Sequence, residues 1–190
     1  ILDGEDDFVN MLRHVLAVMG MTSAVVRHDE YHPGALDGYD LVIVGPGPGD
    51  PRDRDHPKIQ AFRAAVDELL AAGQPFLSVC LGHQVLCSRL GIPLAYKDIV
   101  FQGTQSRVDL EGREENVGFY NTFVGRLGSS TTPEGVTVTA DPETGDIHAV
   151  AGPHYRGVQF HAESILTEHG YDLIHDLVLD LLSPAGAGTS

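Results

Sequence analysis

The sequence predicts an α/β fold, an open and mostly parallel sheet with helices on both faces and antiparallel additions. Apolar runs rich in Val and Ile alternate with stretches of helical period, the pattern of βα units around a parallel sheet. Two of those runs, Tyr39 to Val44 and Phe76 to Val79, read as buried strands that end abruptly in tight loops. Beyond Gly91 the pattern changes to shorter alternating segments, which predicts antiparallel strands added to the sheet.

Each element follows from its own pattern. Phe8, Met11, Leu12, Val15, Leu16 and Met19 recur at three- and four-residue spacing and stop at Gly20, which predicts a first helix. A strand over Ser23 to Arg27 follows it. Tyr39 to Val44 leads into Gly45-Pro46-Gly47-Pro48-Gly49-Asp50-Pro51, a loop that cannot be helical. The next helix begins near Pro57, shows Ile59, Phe62, Ala65, Val66, Leu69 and Leu70 on one face, and is stopped by Gly73-Gln74-Pro75. Phe76 to Val79 then runs straight into Cys80. Thr104 to Leu110, Gly135 to Ala140, Asp146 to Ala151 and Gly157 to Phe160 are the antiparallel candidates. A last helix over Glu168 to Leu182 carries Leu173, Ile174, Leu177, Val178, Leu181 and Leu182 on one stripe.

These elements read as one domain over residues 1–182, with a flexible tail of small residues over 183–190. Ile1-Leu2-Asp3 reads as the end of a strand whose first half is missing, as in a piece of a longer chain. The 190 residues are 42% hydrophobic, enough for one sizeable core. With 27 acidic against 12 basic residues the net charge is −15, which argues against nucleic acid or an anionic membrane as partner. No apolar run approaches the roughly 20 residues of a membrane-spanning helix, and no signal peptide is visible, so a cytoplasmic location is expected. Cys80 and Cys87 then read as free thiols.

Cys80 is the most pointed chemical feature. In Phe76-Leu77-Ser78-Val79-Cys80-Leu81-Gly82-His83-Gln84 an apolar strand delivers a cysteine into a tight turn that opens a helix. The helix N-terminus favours a thiolate there, and backbone N–H groups beside the sulfur can hold an oxyanion. The same pattern also fits a small buried residue, which is how Cys87 reads. A nucleophile needs a base, and the base needs an orienting group. Gly157-Val158-Gln159-Phe160-His161-Ala162-Glu163-Ser164 offers both, with His161 at the end of another strand and Glu163 two residues on. His83 sits a helical turn away from such a site, and His28, His32 and His56 read as surface residues. No His and carboxylate spacing suggests a metal site. In the loop over 45–51 the prolines lack N–H groups, so Gly47 and Gly49 are its backbone donors; a stiff turn is the bland alternative, and a phosphate-binding loop is disfavoured.

Taken together these motifs resemble the class I (triad) glutamine amidotransferases. That family's elbow reads CLGHQ, as at Cys80 to Gln84, its base motif HPES, here His161-Ala162-Glu163-Ser164, and GPGPG stands at Gly45 to Gly49. The resemblance implies a flavodoxin-like sheet, L-glutamine as substrate, and Cys80, His161 and Glu163 as nucleophile, base and orienter. It implies an oxyanion hole at Gly47 and Leu81, and glutamine binding by Gly47, Gly49, Gln84, Thr122 and Phe123. It implies no cofactor in this domain, and a Mg²⁺ site in a chorismate-binding synthase that receives the ammonia. Gln102-Gly103-Thr104-Gln105 and Val117-Gly118-Phe119-Tyr120-Asn121-Thr122-Phe123 are similar to the phenazine-pathway 2-amino-2-deoxyisochorismate synthases, where the synthase is fused N-terminally; a homodimer of the full-length protein stays open. Anthranilate and aminodeoxychorismate synthases, a stand-alone hydrolase and a non-catalytic docking subunit are the alternatives. Ala162 replaces the family's usual proline, and Asn121-Thr122-Phe123 departs from the His-Ser-Leu of anthranilate synthases. Neither change removes a reacting group.

Overall fold

The computed structural model describes residues 1–128 and 131–183, so the tail expected over 183–190 lies, from residue 184 on, outside the described residues. The elements in chain order are β1 (Leu2–Asp3), α1 (Phe8–Val18), β2 (Val26–Arg27), β3 (Val42–Val44), α2 (Pro57–Ala72), β4 (Phe76–Val79), α3 (Leu81–Arg89), β5 (Leu94–Tyr96), β6 (Thr104–Leu110), β7 (Arg113–Phe119), β8 (Phe123–Gly125), β9 (Thr137–Ala140), β10 (Ile147–Gly152), β11 (Tyr155–Val158) and α4 (Gly170–Leu182). A seven-stranded sheet has the order β2-β1-β3-β4-β11-β10-β9. Its first five strands are parallel, and β10 and β9 add antiparallel at the far edge.

The period of two along the central strands divides the core into two layers. Val42, Val44 and Phe76 pack with Ile59, Phe62, Val66 and Leu69 of α2 and Val85 and Leu86 of α3. Ile43, Leu77 and Val79 point the other way, against Leu12 and Leu16 of α1 and Leu173, Ile174 and Val178 of α4. A sheet covered on both faces follows.

The helix ends have local causes. Phe8 N–H donates to Asp6 Oδ1 at 2.9 Å where α1 begins. His56 Nδ1 accepts from Lys58 N–H at 3.2 Å, Pro57 takes the first turn, and Gly73 ends α2 in the left-handed conformation. His56 is thus an exposed cap as well as a surface residue. His28 differs from its surface reading, since its side chain is only 12% exposed and its Nε2 lies 3.3 Å from Glu5.

Several segments are placed differently from the expectation. The strand over Ser23 to Arg27 shrinks to Val26–Arg27, because parallel partners exist only at Leu2 and Asp3. Thr104 to Leu110 does not join the sheet; β6 pairs along its whole length with β7 as a separate two-stranded ribbon, and β5 pairs with β8 in another. Gly157 and Val158 of the expected Gly157 to Phe160 segment belong to β11, which is not an added antiparallel strand. It lies in the middle of the sheet, parallel to β4 and antiparallel to β10, because its apolar residues need cover on both faces. The last helix starts at Gly170 and not at Glu168, whose N–H is taken by Asn116 O at 3.1 Å.

The carboxyl ends of β1, β3, β4 and β11 meet along one edge of the sheet. Since β2 lies to one side of β1 and β3 to the other, the chain splits there and leaves a crevice, where open α/β sheets bind ligands.

Candidate active site

Cys80 stands where β4 becomes α3. Its backbone takes φ 51° and ψ −104°, a strained conformation for a residue with a side chain. The turn is held on both sides, by Cys80 N–H donating to Val158 O at 2.9 Å and Gln84 N–H closing the first helical bond to Cys80 O at 3.0 Å. Gly82 is obligatory, because a Cβ there would lie 2.0 Å from Val44 O. The elbow therefore rests directly on β3. As the first residues of α3, Leu81 and Gly82 leave N–H groups without intrahelical acceptors beside the sulfur.

His161 comes from the chain just past β11. It is held by an isolated antiparallel bridge to Gly118, with His161 N–H donating to Gly118 O at 2.9 Å. Thr167 Oγ1 donates to His161 O at 2.7 Å and accepts from Gly118 N–H at 3.0 Å, which clasps the three segments together. The ring packs between Phe8, 4.4 Å away between centroids, and Tyr120, edge-on at 5.2 Å. Tyr120 is itself fixed by a 3.0 Å hydrogen bond to Ser164 Oγ. His161 Nδ1 pairs with Glu163 Oε1 at 2.8 Å, both side chains fully buried. The far oxygen of Glu163 has no partner among the described residues, so the imidazole is that carboxylate's one strong interaction.

Burial by itself would favour the neutral ring of His161, but the Cys80 sulfur and the Glu163 carboxylate outweigh it and hold the imidazolium well above its usual range. A thiolate and an imidazolium side by side, with a carboxylate behind, can attack an electrophilic carbon and hand a proton to the group that leaves.

The loop after β3 lies against the end of β1. Gly4 N–H donates to Pro46 O at 3.1 Å, and a Cβ on Gly47 would stand 2.7 Å from Gly4 O, so backbone packs on backbone. Lys58, buried in α2, reaches Pro48 O at 3.3 Å and Glu5 at 3.0 Å and ties the loop down.

One cavity of about 250 Å³ is lined by Cys80 and His161 together with Gly47, Gly49, Gln84, Thr122 and Phe123. The sequence reading named each of these. Leu81 sits at the adjacent helix start and Glu163 behind His161. Asp6, Phe8, Gln102, Tyr120 and Asn121 also line the cavity and carried no site role in that reading. Gln159 was missed as well, although Gln159 and His161 share a face by the period of two while Val158 and Phe160 enter the core. Arg52 stacks over the Phe123 ring at 4.5 Å. Cys87 is a free, fully buried thiol, and His83 is buried beside it, Nε2 to Sγ 3.5 Å. Among the described residues no group of three or more His, Cys, Asp or Glu could hold a metal ion. A larger groove of about 410 Å³ lies away from Cys80, between α4, β9, β10 and the β6–β7 ribbon.

Comparison with known proteins agrees with this architecture. The chain is 46% identical over 183 residues to "Anthranilate synthase, phenazine specific" of Pseudomonas fluorescens, covering 94% of this chain but only 28% of that protein's length. It is 36% identical over 197 residues to "Anthranilate synthase component 2, pyocyanine specific" of Pseudomonas aeruginosa, covering 94% of this chain and 92% of that one. A glutamine amidotransferase of Thermotoga maritima shares the fold with a TM-score of 0.75 at 16% identity, over 91% of this chain and 92% of that one. The family model described as "Glutamine amidotransferase class-I" matches residues 1–181, and the chain belongs to that family.

Proposed function

We propose that this chain is the ammonia-supplying glutaminase of a chorismate-aminating synthase. The observation that carries the reading is the alignment of Cys80, on its strained elbow, with a His161 raised in pKa and backed by Glu163 at 2.8 Å, all at one cavity. The Cys80 thiolate attacks the side-chain carboxamide carbon of L-glutamine, and the carbonyl oxygen becomes an oxyanion held by N–H groups of Leu81 and Gly47. Collapse breaks the C–N bond, and the imidazolium of His161 gives its proton to the departing ammonia. The ring, now neutral, takes a proton from water as that water adds to the thioester. Glutamate leaves, and thiolate and imidazolium are restored. Glu163 keeps the ring oriented and its cation stable.

Gln84, Thr122 and Phe123, with Gly47 and Gly49, bind the amino-acid end of the substrate. Gln84 spends its N–H groups on Phe123 O and Gln159, which leaves its carbonyl oxygen to accept from the substrate's ammonium group. The acceptor of the ammonia is a chorismate-binding synthase domain. The names of the two Pseudomonas relatives support this, and so does the wide margin by which the first exceeds this chain in length. Those names carry a phenazine or pyocyanine qualifier on an anthranilate synthase, and the aminodeoxyisochorismate-type product is preferred here on the resemblance over residues 102–105 and 117–123. Exposed apolar side chains in the segments bordering the cavity, Tyr96, Ile99, Val100 and Ile165, suit a docked domain that shields ammonia from water.

The test is covalent. Incubation with 6-diazo-5-oxonorleucine is expected to add one adduct at Cys80, read by peptide mass spectrometry, and Cys80→Ala to abolish glutamine hydrolysis while dissolved ammonia still feeds the synthase. Hydrolysis surviving in Cys80→Ala would remove the reading. The product made by the synthase-bound protein from glutamine, chorismate and Mg²⁺, identified by mass, decides between the two amination outcomes.

A further inference from the structure

The hydrogen bonds around Cys80 have a direction that chemistry forces. Phe123 O can only accept, and it receives Asn121 Nδ2 at 2.8 Å and the Gln84 side chain at 2.7 Å. The Gln84 atom facing it is therefore its amide nitrogen. That nitrogen's second hydrogen points at the Gln159 side chain 3.1 Å away, so the Gln159 atom there must be its oxygen. The Gln159 nitrogen is then turned the other way, and it lies 3.7 Å from Cys80 Sγ, within reach for an N–H···S hydrogen bond. Gln159 is fully buried and Gln84 nearly so, so water does not compete for these groups.

The geometry points to Gln159 as a positioning residue, an amide that donates to the Cys80 thiolate and links it through Gln84 to the carbonyl of Phe123. Two effects follow. A sulfur on a strained elbow gains an N–H donor, which holds it in one rotamer and stabilises the charge it carries when it acts as nucleophile. The relay also makes the sulfur's surroundings depend on the segment 121–123: if Phe123 O moves, Gln84 loses the acceptor that orients it, and Gln159 becomes free to turn its oxygen toward the thiolate. Position 123 thus acts on the nucleophile as well as on the substrate. The burial of Gln159 serves this purpose better than a packing role, since a buried amide flanked by the core residues Val158 and Phe160 needs every partner satisfied.

The inference rests on the proposed glutaminase chemistry for its purpose, but its first test does not. Iodoacetamide alkylation of Cys80, followed by mass spectrometry on the folded protein, reads the thiolate whether or not glutamine is hydrolysed. Gln159→Met, close in size and without donor or acceptor, is expected to slow alkylation at neutral pH by roughly tenfold to a hundredfold, the loss of one hydrogen bond to a charged group. Its pH profile moves upward, which a merely structural role would not produce. Gln159→Glu keeps the acceptor for Gln84 but turns a carboxylate oxygen to the sulfur, and is expected to react more slowly still. In the glutaminase assay both variants lower kcat far more than they raise KM. Alkylation of Gln159→Met at the native rate and with the native pH profile overturns the relay. Native protein that alkylates normally but leaves glutamine intact would instead overturn the proposed function.

Discussion

At the residue scale, two buried histidines on neighbouring elements are driven in opposite directions by what surrounds them. His161 has the Cys80 sulfur on one side and a carboxylate on the other, so its charged form is held despite burial. His83, on α3 beside Cys87, has no carboxylate partner among the described residues, and burial lowers its pKa to about 3. The unfolded chain takes up a proton on His83 near pH 6.5, whereas the folded chain refuses it until about pH 3. Stability is accordingly complete above pH 6.5 and falls as the pH drops through that window, by roughly 1.4 kcal/mol per unit from this residue. Urea titrations at pH 7 and pH 5 are expected to show the loss, and His83→Gln, which cannot titrate, to reduce the difference. An undiminished difference would place the dependence on other groups.

At the element scale, the site depends on how closely one backbone can lie on another. The elbow reaches β3 only because Gly82 has no Cβ, and the loop over 45–51 reaches β1 only because Gly4 and Gly47 have none. The loop is tied down from α2, where Lys58 joins Pro48 O to Glu5. Lys58→Met keeps the buried stem but removes both contacts. It is expected to cut glutamine turnover by about one order of magnitude while leaving Cys80 alkylation near its native rate, since in the proposed mechanism the loop holds the oxyanion and not the thiol. Parallel measurement of the two rates checks this; equal losses would mean that Lys58 supports the elbow itself. Lys58 carries no sign of this role in the sequence, where it is one more polar position near the start of a helix.

On the scale of the whole molecule, the two most exposed large apolar residues among the described ones stand in segments that border the cavity. Ile165 is 92% exposed two residues beyond Glu163, and Ile99 is 74% exposed in the segment that leads to Gln102. In a chain whose net charge is −15, such groups suit the proposed docking of a synthase domain. If the proposed function holds, Ile165→Asp is expected to leave glutamine hydrolysis by the isolated chain unchanged but to weaken association with the proposed synthase domain by roughly tenfold or more, as loss of an apolar anchor does. Analytical ultracentrifugation and the stimulation of glutamine hydrolysis by chorismate both read it. Native association in Ile165→Asp would move the interface elsewhere.

How much of this was legible in the sequence depends on the range of the interaction behind each feature. The α/β class, the four helices, the strand that delivers Cys80 and the clustering of glycines in the loop over 45–51 follow from period, capping and backbone freedom, which act over a few residues and are written locally. The position of β11 in the middle of the sheet, the separate β6–β7 ribbon and the late start of α4 follow from pairings between distant segments, and no local pattern contains them. The same division runs through the site. Cys80, His161 and Glu163 could be singled out in the sequence as candidates, because each follows an apolar run closely and has chemistry of its own. Phe8 and Tyr120 around the imidazole, and Gln159 beneath the sulfur, were assigned only by the tertiary structure, because an apolar ring or a lone amide gains meaning from the group that folding sets against it.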